Sequence, residues 1–249
     1  VDEKLELLVK LTDAGVDPAR MMPGTGCCAL TDTVRLTAHA AKLGCGGVLM
    51  LPPFYYKAVS DDGLYASVAE VIERVGNDQL RIYLYHIPPI AQVGFSVDLI
   101  ERLVTDYPKT VVGIKDSSGD WANTAAMLDR QWDDFRVFVG SESFLLANMQ
   151  NGGAGCISAT ANINPAAIDR LYREWDGDDA VAMQADLDRI RSVVADYPMI
   201  PALKATVASF SGDDAWCTVR PPLVALSEEE RSKLAASLQK KRFEMPGLS

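Results

Sequence analysis

The chain reads as an α/β protein made of repeated βα units, and two patterns predict this. Short apolar runs alternate with longer amphipathic segments, the signature of strands in a parallel sheet joined by crossover helices. After Asn164 the apolar runs stop, and the remaining residues carry helical periodicity alone.

Six units are expected. The first strand is placed at Arg20 to Pro23, followed by Gly24-Thr25-Gly26 and a helix from Thr31 to Leu43 that Gly44 ends. The second strand is Gly47 to Leu51, and the helix from Gly63 to Val75 sets Leu64, Val68, Val71 and Ile72 on one buried stripe. A strand from Ile82 to Ile87 precedes a helix capped by Ser96, which reaches about Asp106 before Pro108.

The fourth strand, Val111-Val112-Gly113-Ile114-Lys115-Asp116, leads to a helix capped by Asp120. The fifth and sixth are Phe135 to Gly140 and Gly155 to Ala159, with a short helix near Phe144 to Gln150 between them. Helices are then expected at Pro165 to Trp175, Ala180 to Tyr197, Ile200 to Phe210 and Ser227 to Arg242, the last opened by a Ser227/Glu230 capping box.

Six units with a long helical tail fit an open six-stranded sheet poorly, and a closed (β/α)8 barrel needs eight strands. The chain also opens inside helical periodicity, Asp2 to Val9, with no strand before it. The expectation is a (β/α)8 TIM barrel lacking its first one or two βα units in this sequence. Residues 1–177 form the barrel in this reading, and residues 178–249 a C-terminal helical region.

Composition narrows the partners. The 249 residues are 48% hydrophobic and 23% charged, an ordinary globular balance. A net charge of -10, with no basic cluster longer than Lys240-Lys241-Arg242, argues against nucleic acid or an anionic membrane. No apolar run is long enough to span a membrane. Five cysteines without Cys-x-x-Cys spacing indicate neither a disulfide framework nor a zinc site, so no metal is expected and a reducing cytoplasm is. His39 reads as a helical surface residue.

Lys115 carries the chemistry. A β-branched strand that ends in a lysine suggests a buried amine, and burial disfavours the ammonium form and favours a nucleophile. Alternation puts Val111, Gly113 and Lys115 on one face of their strand, and Tyr83, Tyr85 and Ile87 together on the preceding one. Neighbouring parallel strands bring Tyr85 close to Lys115, both at C-terminal strand ends, where barrel enzymes carry their catalytic groups. The competing account is a snorkelling lysine beside a core tyrosine. His86 alternates away from Tyr85 and reads as a packing residue.

Four motifs in order are similar to the dihydrodipicolinate synthase and N-acetylneuraminate lyase family of pyruvate-dependent class I aldolases. They are Pro52-Pro53-Phe54-Tyr55-Tyr56 leading to Gly63-Leu64-Tyr65, Leu84-Tyr85-His86-Ile87-Pro88, Gly113-Ile114-Lys115-Asp116, and Gly152-Gly153-Ala154-Gly155-Cys156-Ile157-Ser158. The resemblance implies an eight-stranded barrel, Lys115 as the imine-forming lysine, Tyr85 as the proton-relaying tyrosine and pyruvate as the bound keto acid. No cofactor beyond the covalent lysine imine is implied.

It further implies that Tyr55 is the tyrosine donated across a tight dimer interface, with Tyr56 as the alternative. Ile157 is matched to the position whose backbone approaches pyruvate, and Gly155 admits that approach. From the residues alone, the glycine cluster is equally a turn entering a strand. Dimers or tetramers of the chain are expected.

Two departures from the family pattern stand out. Its Gly-Thr-Thr-Gly-Glu loop is not among these residues, and the arginine that synthases carry after the Tyr85 position is missing from His86 to Gly94. An incoming carboxylate would lack a bidentate partner there. The reading is therefore a Schiff-base lyase or aldolase acting beside a lysine-bound pyruvate enamine, on a 2-keto-3-deoxy sugar acid. The alternatives are 4-hydroxy-tetrahydrodipicolinate synthase, condensing pyruvate with aspartate semialdehyde, and a non-catalytic keto-acid-binding barrel.

Overall fold

The computed structural model describes residues 1–248. They form two compact units, residues 1–138 and 139–248. In the first, α1 (Asp2–Asp13), α2 (Leu30–Leu43), β1 (Val48–Met50), α3 (Asp61–Val75), β2 (Ile82–His86), α4 (Pro88–Ala91), α5 (Val97–Asp106), β3 (Val111–Asp116) and α6 (Trp121–Leu128) follow in order. Strand β4 (Arg136–Val139) follows, and its last residue is the first of the second unit.

Strands β1 to β4 lie side by side in sequence order, and β1 to β3 pair parallel, as consecutive βα units require. Their apolar residues Val48, Met50, Ile82, Leu84, Val111 and Ile114 form one core with Leu64, Val68 and Val71 of α3 and Leu99, Ile100 and Leu103 of α5. The stripe expected on α3 is the face it buries.

Capping sets the helix starts. The side chains of Ser60, Ser96 and Asp120 accept from the backbone N–H of Gly63, Leu99 and Ala122 at 3.2, 3.1 and 2.9 Å. The second unit holds α7 (Leu145–Gln150), β5 (Gly155–Cys156), α8 (Pro165–Arg173), α9 (Ala180–Ala195), α10 (Met199–Ser211) and α11 (Glu228–Lys240). Ile157 N–H donates to Val139 O at 2.9 Å, so the chain leaving β5 runs beside the end of β4. The capping box of Ser227 and Glu230 is present, and it depresses the Glu230 carboxyl because the Ser227 backbone N–H and hydroxyl both donate to it.

Three expectations are corrected. The first expected strand, Arg20 to Pro23, is a 3-10 turn over Pro18–Arg20 followed by a single parallel bridge between Gly24 and Leu49. Only Pro23 O and Thr25 N–H reach Leu49, and a proline has no N–H to extend the ladder. The sixth ends at Cys156, because Ala159–Asn162 coils into a 3-10 turn. His39 is half-buried, with a buried Nε2 that has no partner among the described residues.

Candidate active site

Tyr85 and Lys115 are direct partners in the β2/β3 register. Each is the penultimate residue of its strand, so both side chains emerge at the C-terminal edge of the sheet. Lys115 Nζ donates to the Tyr85 hydroxyl at 3.1 Å and lies 4.2 Å from the centre of its ring. The expected juxtaposition is present. The burial expected of the Lys115 amine is only partial: Lys115 and Tyr85 are both half-buried, at the ends of their strands.

The register that aligns them contains one irregularity. Ile82 pairs with Val111 but Tyr83 with Gly113, so Val112 is skipped and the polar pair falls into step. Gly113 permits it, since a Cβ there would come within 2.6 Å of both Arg136 O and the Tyr83 ring.

The other face of the same strand ends is closed by packing and hydrogen bonds. Asp116 is buried and accepts from Ser118 N–H at 2.8 Å, Thr124 Oγ1 at 2.7 Å and Asn123 Nδ2 at 3.0 Å, which fixes the turn after Lys115. His86, its partner in register, is 7% exposed, and its Nδ1 accepts from Phe95 N–H at 3.0 Å. Burial depresses the imidazole, and the nearby Asp116 charge opposes that only in part. His86 is the packing residue it was expected to be, and its neutral ring holds the loop that follows Tyr85.

Tyr55 stands apart from this pair. It is 74% exposed on the loop between β1 and α3, edge-on to Tyr56, which is 72% exposed, with ring centres 5.2 Å apart. Among the described residues Tyr55 makes no hydrogen bond. Gly155 and Ile157 lie in the second unit, Gly155 buried at φ +126° and Ile157 half-buried. Gly152 is also at positive φ, while a Cβ on Gly153 would overlap the Asn148 amide at 2.1 Å. The glycines serve a tight turn from α7 into β5.

Sequence reasoning missed one feature near the pair. Lys57 Nζ donates to Phe54 O and, at 2.8 Å, to Ala91 O, tying the Tyr55 loop to the loop after β2. That second loop contains α4, whose Pro88 and Pro89 at the first helical positions were a readable signal. Among the described residues no group of three or more His, Cys, Asp or Glu side chains could hold a metal ion, and no helix is long and apolar enough to cross a membrane.

A match to the profile of the dihydrodipicolinate synthetase family extends over residues 1–241. The chain belongs to that family. Dihydrodipicolinate synthetase-family proteins are pyruvate-dependent lyases of the class I aldolase type, and this chain is one such enzyme with their (β/α) barrel fold class.

An uncharacterized DapA-like lyase of Chloroflexus aurantiacus is 33% identical over 221 residues, covering 88% of this chain and 73% of that protein. A 4-hydroxy-tetrahydrodipicolinate synthase of Methanococcoides burtonii is 30% identical, covering 93% and 79%. The crystal structure of dihydrodipicolinate synthase from Agrobacterium tumefaciens superposes with a TM-score of 0.88 at 31% identity, over 96% of this chain and 81% of that one.

Proposed function

We propose that Lys115 forms an imine with pyruvate and that the enzyme makes or breaks a carbon-carbon bond beside the resulting enamine. The observation that carries this is the 3.1 Å contact between Lys115 Nζ and the Tyr85 hydroxyl at matched C-terminal strand ends. A nucleophilic amine needs a nearby group that moves protons, and a phenol within hydrogen-bond reach is one.

The free amine attacks C2 of pyruvate, and the carbinolamine loses water to give an iminium ion. Loss of a C3 proton gives the enamine, whose C3 attacks an aldehyde carbonyl; a proton on the new alkoxide completes the bond. Hydrolysis frees the 2-keto-4-hydroxy product and regenerates Lys115. Run backwards, the same steps cleave such an acid into pyruvate and an aldehyde. Tyr85 relays the protons of carbinolamine formation and dehydration.

We assign Tyr55 to the same relay across a dimer interface; its exposure beside Tyr56, on a loop held by Lys57, is what supports a role in a second copy's site. Ile157 and Gly155 are assigned to the backbone that admits pyruvate, on the motif resemblance alone. The aldehyde partner is assigned to the 2-keto-3-deoxy sugar acid class. The absence of an arginine from His86 to Gly94 favours this over condensation with aspartate semialdehyde, whose carboxylate would go unpaired.

Incubation with 2-keto-3-deoxy sugar acids should release pyruvate, while aspartate semialdehyde plus pyruvate should give no ring product. Ring formation without sugar-acid cleavage would reverse the substrate assignment. Neither pyruvate release nor ring formation, together with no borohydride-trapped pyruvate adduct, would remove the imine reading.

A further inference from the structure

A second site lies at the opposite edge of the same sheet. Gly46, Arg81, Tyr83, Pro108, Lys109, Val112, Asp134 and Arg136 line a cavity of about 350 Å³ in the first unit. Arg81 immediately precedes β2, Lys109 stands two residues before β3, and Arg136 opens β4. Three neighbouring strands thus each deliver a cation at their N-terminal end. Lys115 and Tyr85 leave the other end of those strands, roughly 15 Å away by the rise of a strand.

The charge balance of this cavity is unlike that of its surroundings. The chain carries 34 acidic against 24 basic side chains, yet here three cations meet one carboxylate. Elsewhere in the unit Arg35, Arg74, Arg102 and Arg130 each pair with an Asp or Glu. Among the described residues Lys109 and Arg136 pair with none, and Arg81 spends Nη1 on the carbonyls of Asp78 and Leu80.

Tyr83 supplies the polar group inside. It is 6% exposed, held by an edge-on contact with Phe138 at 5.9 Å, and its hydroxyl has no hydrogen-bond partner among the described residues. The ring is buried while the hydroxyl keeps contact with the solvent of the cavity, free to donate there. Three cations at neighbouring strand ends against one carboxylate leave a net positive charge on the cavity, which attracts an anion and does so more strongly at low ionic strength.

We propose that this cavity binds a compact anion carrying two or more negative charges, of the phosphate-monoester or polycarboxylate class. Lys109 and Arg136 supply the charge, Arg81 the inner wall, and the Tyr83 hydroxyl donates to an anion oxygen. The site is separate from Lys115 and does not depend on what Lys115 does.

The test is calorimetric titration of the full chain with inorganic phosphate and, separately, with citrate, at ionic strength held constant with sodium chloride. Saturable binding of at least one anion is expected, weakened tenfold or more in Lys109→Ala/Arg136→Ala and measurably in Tyr83→Phe. Both cations are exposed, so the double variant should fold, and Arg136→Gln alone provides a milder check. Preference for phosphate or citrate tells the two ligand classes apart. Heats no larger than those of chloride, or affinity unchanged in the double variant, would overturn the proposal. An unaltered pyruvate adduct in the variants would confirm that a loss is local, and a wild type that forms no adduct would leave the anion result intact.

Discussion

Arg191 Nη1 lies 2.8 Å from the carboxylate of Glu142, a side chain that is only 2% exposed. The same carboxylate accepts the hydroxyls of Ser158 and Thr160, and Gln184 Nε2 donates to Glu142 O at 3.0 Å. One buried charge therefore ties the turn after β4, the segment after β5 and α9 together inside the second unit. Removing one partner of such a pair leaves the other charge uncompensated. Arg191→Met should cost about 3–5 kcal/mol in urea unfolding, and adding Glu142→Gln should restore part of that loss. Equal stability of wild type and Arg191→Met would show that the pair is idle.

Tyr85→Phe removes the hydroxyl and keeps the ring. If Tyr85 relays protons, kcat falls by about 10²- to 10⁴-fold, the usual contribution of a positioned acid or base, while pyruvate is still trapped on Lys115 given enough time. Steady-state rates beside trapping yields separate the two effects. Full activity in this variant would take Tyr85 out of the mechanism.

Gly113→Ala probes the register that brings the pair into step. The added methyl meets Arg136 O and the Tyr83 ring, both at 2.6 Å, so overpacking of about 1–3 kcal/mol is expected. Thermal melts would register it, and a neutral substitution would show that the strands can shift to make room.

His86 gives the stability a pH dependence. Its imidazole is depressed by burial, so the unfolded chain takes up a proton at a higher pH than the folded one. This group's contribution is complete above the unfolded value of about 6.5 and is lost as pH falls below it, at no more than about 1.4 kcal/mol per pH unit. Unfolding free energies from pH 7 down to 5.5 should slope less in His86→Asn than in wild type. Identical slopes would mean that His86 does not titrate differently on folding.

What the residues disclosed beforehand follows from how local each signal is. The stripe on α3, the caps at Ser96, Asp120 and Ser227, and the strand around Lys115 depend on near neighbours in sequence and were readable. The Tyr85 and Lys115 pairing was readable too, because consecutive βα units place consecutive strands side by side. Lys57 was not, since its partner Ala91 lies 34 residues away on another loop. Nor was the outcome at Arg20 to Pro23, where a short run without β-branched residues lies between Pro18 and Pro23 and forms no strand. The half-burial of Lys115 depends on what surrounds the sheet edge, which strand periodicity does not encode.

The central claim is that the ε-amino group of Lys115 condenses with pyruvate. Peptide mapping by mass spectrometry after treatment with pyruvate and borohydride tests it most directly. The account predicts one adduct, the mass of pyruvate less water plus two hydrogens, on the peptide that contains Lys115, and none in Lys115→Arg. An adduct on another lysine, or an unmodified Lys115 peptide at saturating pyruvate, would contradict it.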